Sequence, residues 1–181
     1  MYVYRRRGGE RERLIFDPKY FKRTQVRKNF LRCIAKQMVM SSVKKMVLVW
    51  QGNYRFIAKN EKGLSVNFDA PIPNSGEETA LSPMENVLAS LAACSSYHVV
   101  SILKKKRQNF SNYSVEMTAD RRDEPPRVFT NIHIKYIIKG KNISKEAVES
   151  AIRLSEEKYC SVGGMLKIAV KMTSSYEILK E

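Results

Sequence analysis

Ser82-Pro83-Met84-Glu85-Asn86-Val87-Leu88-Ala89-Ser90-Leu91-Ala92-Ala93-Cys94 opens the stretch that decides the fold of this 181-residue chain. Ser82 can cap a helix, Pro83 suits the first helical position, and Glu85 completes a capping box. Apolar residues continue through Val99, Val100, Ile102 and Leu103, and the segment ends in Lys104-Lys105-Lys106-Arg107. Acid at the start and base at the end both suit the helix dipole. The spacing predicts a helix of about 24 residues whose middle, Ala89 to Cys94, is small or apolar nearly all round, so it is expected to be buried at the centre of the fold.

Upstream, Lys45–Trp50 and Tyr54–Ala58 read as a hairpin turned at Gln51-Gly52-Asn53, followed by a short strand Leu64–Phe68. Asp69–Leu81, with Pro71, Pro73, Asn74 and Gly76, reads as a loop. Downstream, Tyr113–Arg121 and Arg127–Lys139 read as longer strands around the turn Asp123-Glu124-Pro125-Pro126. In the second, Val128, Thr130, Ile132, Ile134 and Tyr136 alternate onto one face. Ser144 begins a second helix reaching about Lys158, Ser161–Ile168 a short helical turn, and Val170–Leu179 a last strand. The order βββ–α–ββ–α–β is α+β, a long helix on an antiparallel sheet.

The formal net charge is +15, of which +9 falls in residues 1–40. The chain thus divides into a basic extension over 1–43 and a globular domain over 44–181. Within the extension, Phe30, Ile34 and Met38 have helical spacing among Lys and Arg, as in helices that bind anionic membranes or RNA. The plainer reading is a solvated or packed segment, or one preceding a true start at Met38, Met40 or Met46. Nucleic-acid binding is therefore not the expected role. No unbroken run of 18 apolar residues occurs, and the charged N-terminus lacks a secretory core. Three cysteines are too few for a disulfide scaffold. These features point to a soluble cytoplasmic protein without membrane association.

Cys94 lies mid-helix among small residues, and Cys160 comes after the second helix, where backbone N–H groups of Ser161 and Val162 can lower its pKa. Each alone is equally a packed small hydrophobe. Together, on separate helices, they suggest a redox pair. His98 stands at i+4 from Cys94, which suits a nucleophile partner or a metal ligand pair, but the spacing matches no zinc signature. His133 alternates onto a half-exposed strand face and reads as structural. No nucleophile elbow, phosphate loop or dinucleotide fingerprint is present, so neither cofactor nor metal is expected.

Ser82 through Cys94 resembles the first-cysteine motif of the OsmC/Ohr family, and Leu154-Ser155-Glu156-Glu157-Lys158-Tyr159-Cys160-Ser161-Val162 resembles its second. Val99–Lys105 and Arg121–Thr130 are similar to its OsmC-like branch. The resemblance spans roughly 44–181 and implies an intertwined homodimer reducing organic hydroperoxides, hydrogen peroxide less well. It implies Cys94 as peroxidatic thiolate, Cys160 as resolving thiol, a Cys94–Cys160 disulfide, and an external dithiol reductant in place of a cofactor. It also implies an activating arginine paired with a glutamate. Arg55 is the only arginine between Arg32 and Arg107. The glutamate of the Ohr branch comes directly after the proline, whereas Met84 stands there and Glu85 comes next, so Glu85 reads as a cap or as the partner. His98 is a further candidate for the electrostatics. The alternative within the same fold is a stress or binding protein with little or no peroxidase activity.

Overall fold

The structure is a computed structural model and describes residues 4–7, 10–13, 44–70 and 78–181. The chain divides into two units, Met1–Lys45 and Met46–Glu181. In the first, β1 (Tyr4–Arg7) and β2 (Glu10–Arg13) pair antiparallel. The predicted basic helix over 20–38, Cys33 and most of the loop over 69–81 lie outside the described residues.

The second unit begins with a meander of β3 (Met46–Trp50), β4 (Phe56–Asn60) and β5 (Ser65–Phe68). Gly52 at φ +93° and Asn53 at φ +49° make the β3–β4 turn, a left-handed geometry that glycine and asparagine tolerate best. All five residues of β3 are exposed. Helix α1 (Pro83–Lys105) comes next, then β6 (Asn109–Arg121) and β7 (Phe129–Lys141). Helix α2 (Lys145–Leu154), one π turn (Ser155–Tyr159) and α3 (Ser161–Leu166) lead into β8 (Lys171–Lys180).

β8 joins β7 in parallel, so the core sheet β6-β7-β8 is mixed rather than wholly antiparallel. A parallel neighbour requires a crossover, and α2, the π turn and α3 supply it. Burial alternates along Ile132, Ile134, Tyr136 and Ile138, all at most 1% exposed. The predicted alternation does not extend back to Val128 and Thr130, which are exposed, while Phe129 is buried. A register shift between Asp120 and Arg121 opposite this point reverses the faces, as bulges do. His133 lies on the outer face, as its alternation predicts, hydrogen-bonded to Thr173 and Ser175.

Helix α1 lies against α2, α3 and β6 and buries one stripe, Leu91, Ser95, Val99 and Leu103, at four-residue spacing. The expectation of burial all round is corrected here. Ala89, Ser90 and Ala93 are exposed and Tyr97 is 75% exposed, because within one chain only one face of the helix is covered. Length and composition alone would let α1 cross a membrane, despite the absence of an unbroken apolar run. In this fold its buried stripe instead joins the core with the sheet residues Ile132, Ile134, Tyr136 and Ile138.

Candidate thiol site

Cys94 is half-buried on α1, beside the buried stripe, and Cys160 is buried at the start of α3. Both are free, and the Cys94 sulfur is near enough to Cys160 to act on its thiol electrostatically. Two elements bring them together. Helix α1 turns Cys94 toward the crossover, and the π turn delivers Cys160 to it, its N–H donating to Ser155 O at 2.8 Å across five residues. π turns insert one extra residue into a helix and recur at functional sites.

Cys160 is also the N-cap of α3, its sulfur accepting from Gly163 N–H at 3.3 Å. Burial, the largest influence, nevertheless pushes the Cys160 thiol above its ordinary value. The N–H groups of Gly163 and Val162 pull it down, and the neighbouring Cys94 sulfur raises it further. The expectation of a lowered pKa is therefore corrected: the donors are in place, though Gly163 rather than Ser161 supplies one, and desolvation outweighs them. A cavity of about 670 Å³ reaches Cys160 between Leu91, Ser95, Gly163, Lys167 and Lys171, with Glu156 and Glu157 at its wall.

The other candidates are placed less directly. The ring of His98, half-buried, stacks on Tyr159 at 5.6 Å between centroids and meets Tyr97 edge-on at 5.4 Å. It thus contacts the residue before Cys160 and stands one helical turn from Cys94. Glu85 serves the capping box: its carboxylate accepts from Ser82 N–H at 2.7 Å, while Ser82 Oγ accepts from Glu85 N–H at 3.3 Å. The Ser82 hydroxyl and, after it, the Ser82 N–H hold the Glu85 carboxyl below the ordinary range. It lies nine residues before Cys94, about 13 Å along the helix. Arg55 sits at the end of the β3–β4 turn and lines a pocket with Gln51, Phe56, Asn67, Phe68, Thr79 and Ala80 that includes neither cysteine. Its charge helps hold buried Asp69 ionised, after the larger contributions of hydrogen bonds from Thr79 and Ala70. Among the described residues no three His, Cys, Asp or Glu converge as metal ligands.

Sequence reading missed the polar residues that frame the pair. Ser95, Ser155 and Tyr136, none more than 1% exposed, form one buried hydroxyl cluster. Next to it, Tyr113 Oη donates to Ser96 Oγ at 3.1 Å. The available signal was Ser95 itself, a hydroxyl interrupting the apolar stripe of α1.

Comparison with known proteins agrees with this architecture. The OsmC-like protein family matches residues 76–175. Protein YhfA of Escherichia coli K12 is 42% identical over 130 residues, covering 72% of this chain and 94% of its own length. A hypothetical protein of Aquifex aeolicus is 34% identical, with a TM-score of 0.68 over 77% of this chain and 98% of its own. The organic hydroperoxide resistance protein OhrB of Bacillus subtilis, 17% identical, shares the fold at a TM-score of 0.52 over 75% and 98% of the two chains. A helix-on-mixed-sheet core carrying two apposed cysteines, together with these matches, makes the chain a member of the OsmC-like family.

Proposed function

We propose that this protein is a thiol-dependent peroxidase acting on organic hydroperoxides, and less well on hydrogen peroxide, in oxidative stress defence. The observation that carries the reading is the apposition of two free thiols, one half-buried and one buried, on separate elements. Cys94 thiolate attacks the distal oxygen of the peroxide, the O–O bond breaks, and the leaving alkoxide takes a proton to become an alcohol. Cys94 is left as a sulfenic acid. Cys160 sulfur then attacks Cys94 sulfur, losing its proton, and water leaves with formation of the Cys94–Cys160 disulfide. An external dithiol returns both residues to thiols and is itself oxidised to a disulfide, so the cycle needs no cofactor. The cavity at Cys160 gives that reductant a route.

The reading includes a homodimer. The exposed apolar β3 and the uncovered face of α1 are surfaces of the kind that a second subunit covers. Arg55, whose pocket in its own chain includes neither thiol, is then a candidate to act in the assembled dimer.

The test is consumption of cumene or tert-butyl hydroperoxide by purified protein with a dithiol. Cys94→Ser is expected to abolish turnover, and Cys160→Ser to stop after one sulfenic acid per chain. Full activity in Cys94→Ser refutes the reading. A second reading, a binding or stress protein of the same fold with little peroxidase activity, is favoured by one observation: Glu85 is engaged in a helix cap. Thiols titrated only slowly by peroxide would select it.

A further inference from the structure

We infer that Ser155 is a positioning residue that holds Cys160 against Cys94; this rests on reading the two cysteines as a redox pair. Ser155 touches the surroundings of both thiols. Its carbonyl accepts the N–H of Cys160 at 2.8 Å. Its hydroxyl donates to the carbonyl of Ser95, the residue after Cys94, at 3.2 Å. Its Oγ also lies 3.1 Å from Ser95 Oγ.

Each hydroxyl has one proton, and that fixes the direction of the chain of bonds. The Ser155 proton goes to Ser95 O, so Ser95 donates to Ser155 Oγ, and Tyr136 on β7 donates to Ser95 Oγ. No buried side-chain polar atom among the described residues lacks a partner. Removing the Ser155 hydroxyl breaks two of these bonds at a side chain with no exposed surface.

The π turn starts at Ser155. Relaxing it to α geometry removes its extra residue and rotates the downstream residues by about 100°. Such a rotation would swing Cys160 away from α1. The Ser155–Ser95 clamp opposes it by fixing the first residue of the turn to the helix that carries Cys94.

The test is equilibration of the full-length protein with reduced and oxidised dithiothreitol, then alkylation and mass spectrometry of the Cys94–Cys160 pair. In this exchange the two protein thiols lose two protons and two electrons, and the cyclic disulfide of the oxidised reagent gains them. Ser155→Ala is expected to lower the equilibrium constant for disulfide formation at least tenfold, equivalent to a potential about 30 mV less negative. Ser95→Ala shifts it in the same direction and carries the test if Ser155→Ala does not fold. Ser96→Ala, which loses only the Tyr113 bond, is expected to lower unfolding stability yet keep the constant within twofold of wild type. A purely structural role for Ser155 would affect oxidised and reduced forms alike and leave the constant unmoved. A wild-type constant in both Ser155→Ala and Ser95→Ala overturns the inference and leaves the redox reading standing. Failure of the wild-type pair to form a disulfide at any ratio overturns the redox reading and the inference with it.

Discussion

Adjacent glycines at the start of α3 should respond oppositely to the same added methyl. A Cβ on Gly163 would stand 3.3 Å from Cys160 Sγ, 3.6 Å from Cys160 Cβ and 3.6 Å from Leu91 Cδ1. The first contact is a few tenths of an ångström too tight. Cys160 sulfur cannot give way freely, since it caps α3 and faces Cys94. Leu91 is 1% exposed in the core. Replacing a helical glycine by alanine is worth about 0.5–1 kcal/mol in backbone entropy, while overpacking a core costs about 1–3 kcal/mol. Gly163→Ala should therefore destabilise by about 1 kcal/mol. A Cβ on Gly164 meets nothing within 4 Å, so Gly164→Ala keeps only the gain, about 0.5–1 kcal/mol. Urea unfolding of reduced protein measures both, and the variants should differ by about 1.5–2 kcal/mol. In thermal melts that is roughly 3–8 °C for a chain of this size. Equal stabilities, or Gly163→Ala the more stable, would show that the sulfur is not pinned against α3.

The same packing makes three more outcomes measurable. Stability should fall above pH 10: burial pushes the Tyr113 hydroxyl up to about 12 and raises that of Tyr136, so an unfolded chain loses protons the folded one keeps. The slope is at most about 1.4 kcal/mol per pH unit for each group, and urea titrations at pH 8, 10 and 11 should show it flattened in Tyr113→Phe. Leu48→Glu changes a side chain 60% exposed in one chain, so it should leave a monomer's stability within about 0.5 kcal/mol but dissociate a dimer built on β3. Light scattering after size exclusion decides, and an intact Leu48→Glu dimer would remove β3 from the interface. Ser82→Ala breaks the capping box and should cost about 1 kcal/mol in urea unfolding; no loss would mean the cap contributes nothing in solution.

Local chemistry is the part of this fold that is legible in the chain. Ser82, Pro83 and Glu85 mark the start of α1 because capping is chemistry between near neighbours, and the box forms as read. Ile132 to Ile138 declare their strand because burial on one side imposes a period of two. Features set by distant partners are less visible. Ser155 to Tyr159 reads as continuous helix, since nothing in Ser-Glu-Glu-Lys-Tyr signals a π turn. The bulge that exchanges Phe129 for Val128 depends on pairing with β6. Cys94 and Cys160 stand out by type and setting, yet the hydroxyls of Ser95, Ser155 and Tyr136 do not, because a buried serine looks in sequence like any surface serine. The direction of the Cys160 shift departs from its sequence expectation for a related reason: donors are written in the local backbone, whereas desolvation comes from the whole core.

The parallel pairing of β8 with β7 has a kinetic consequence for the buried sulfur. Cys160 rides on a return path whose two ends are stitched into neighbouring strands of one sheet. Such a segment has no free end on which to swing. Separating Cys160 from Cys94 must proceed within that path, by rearrangement or melting of the π turn and the six-residue α3, with the sheet intact. Exchange of thiol partners should then be timed by the fraying of those few residues, and slow amide exchange over 155–166 would track the redox state of the protein.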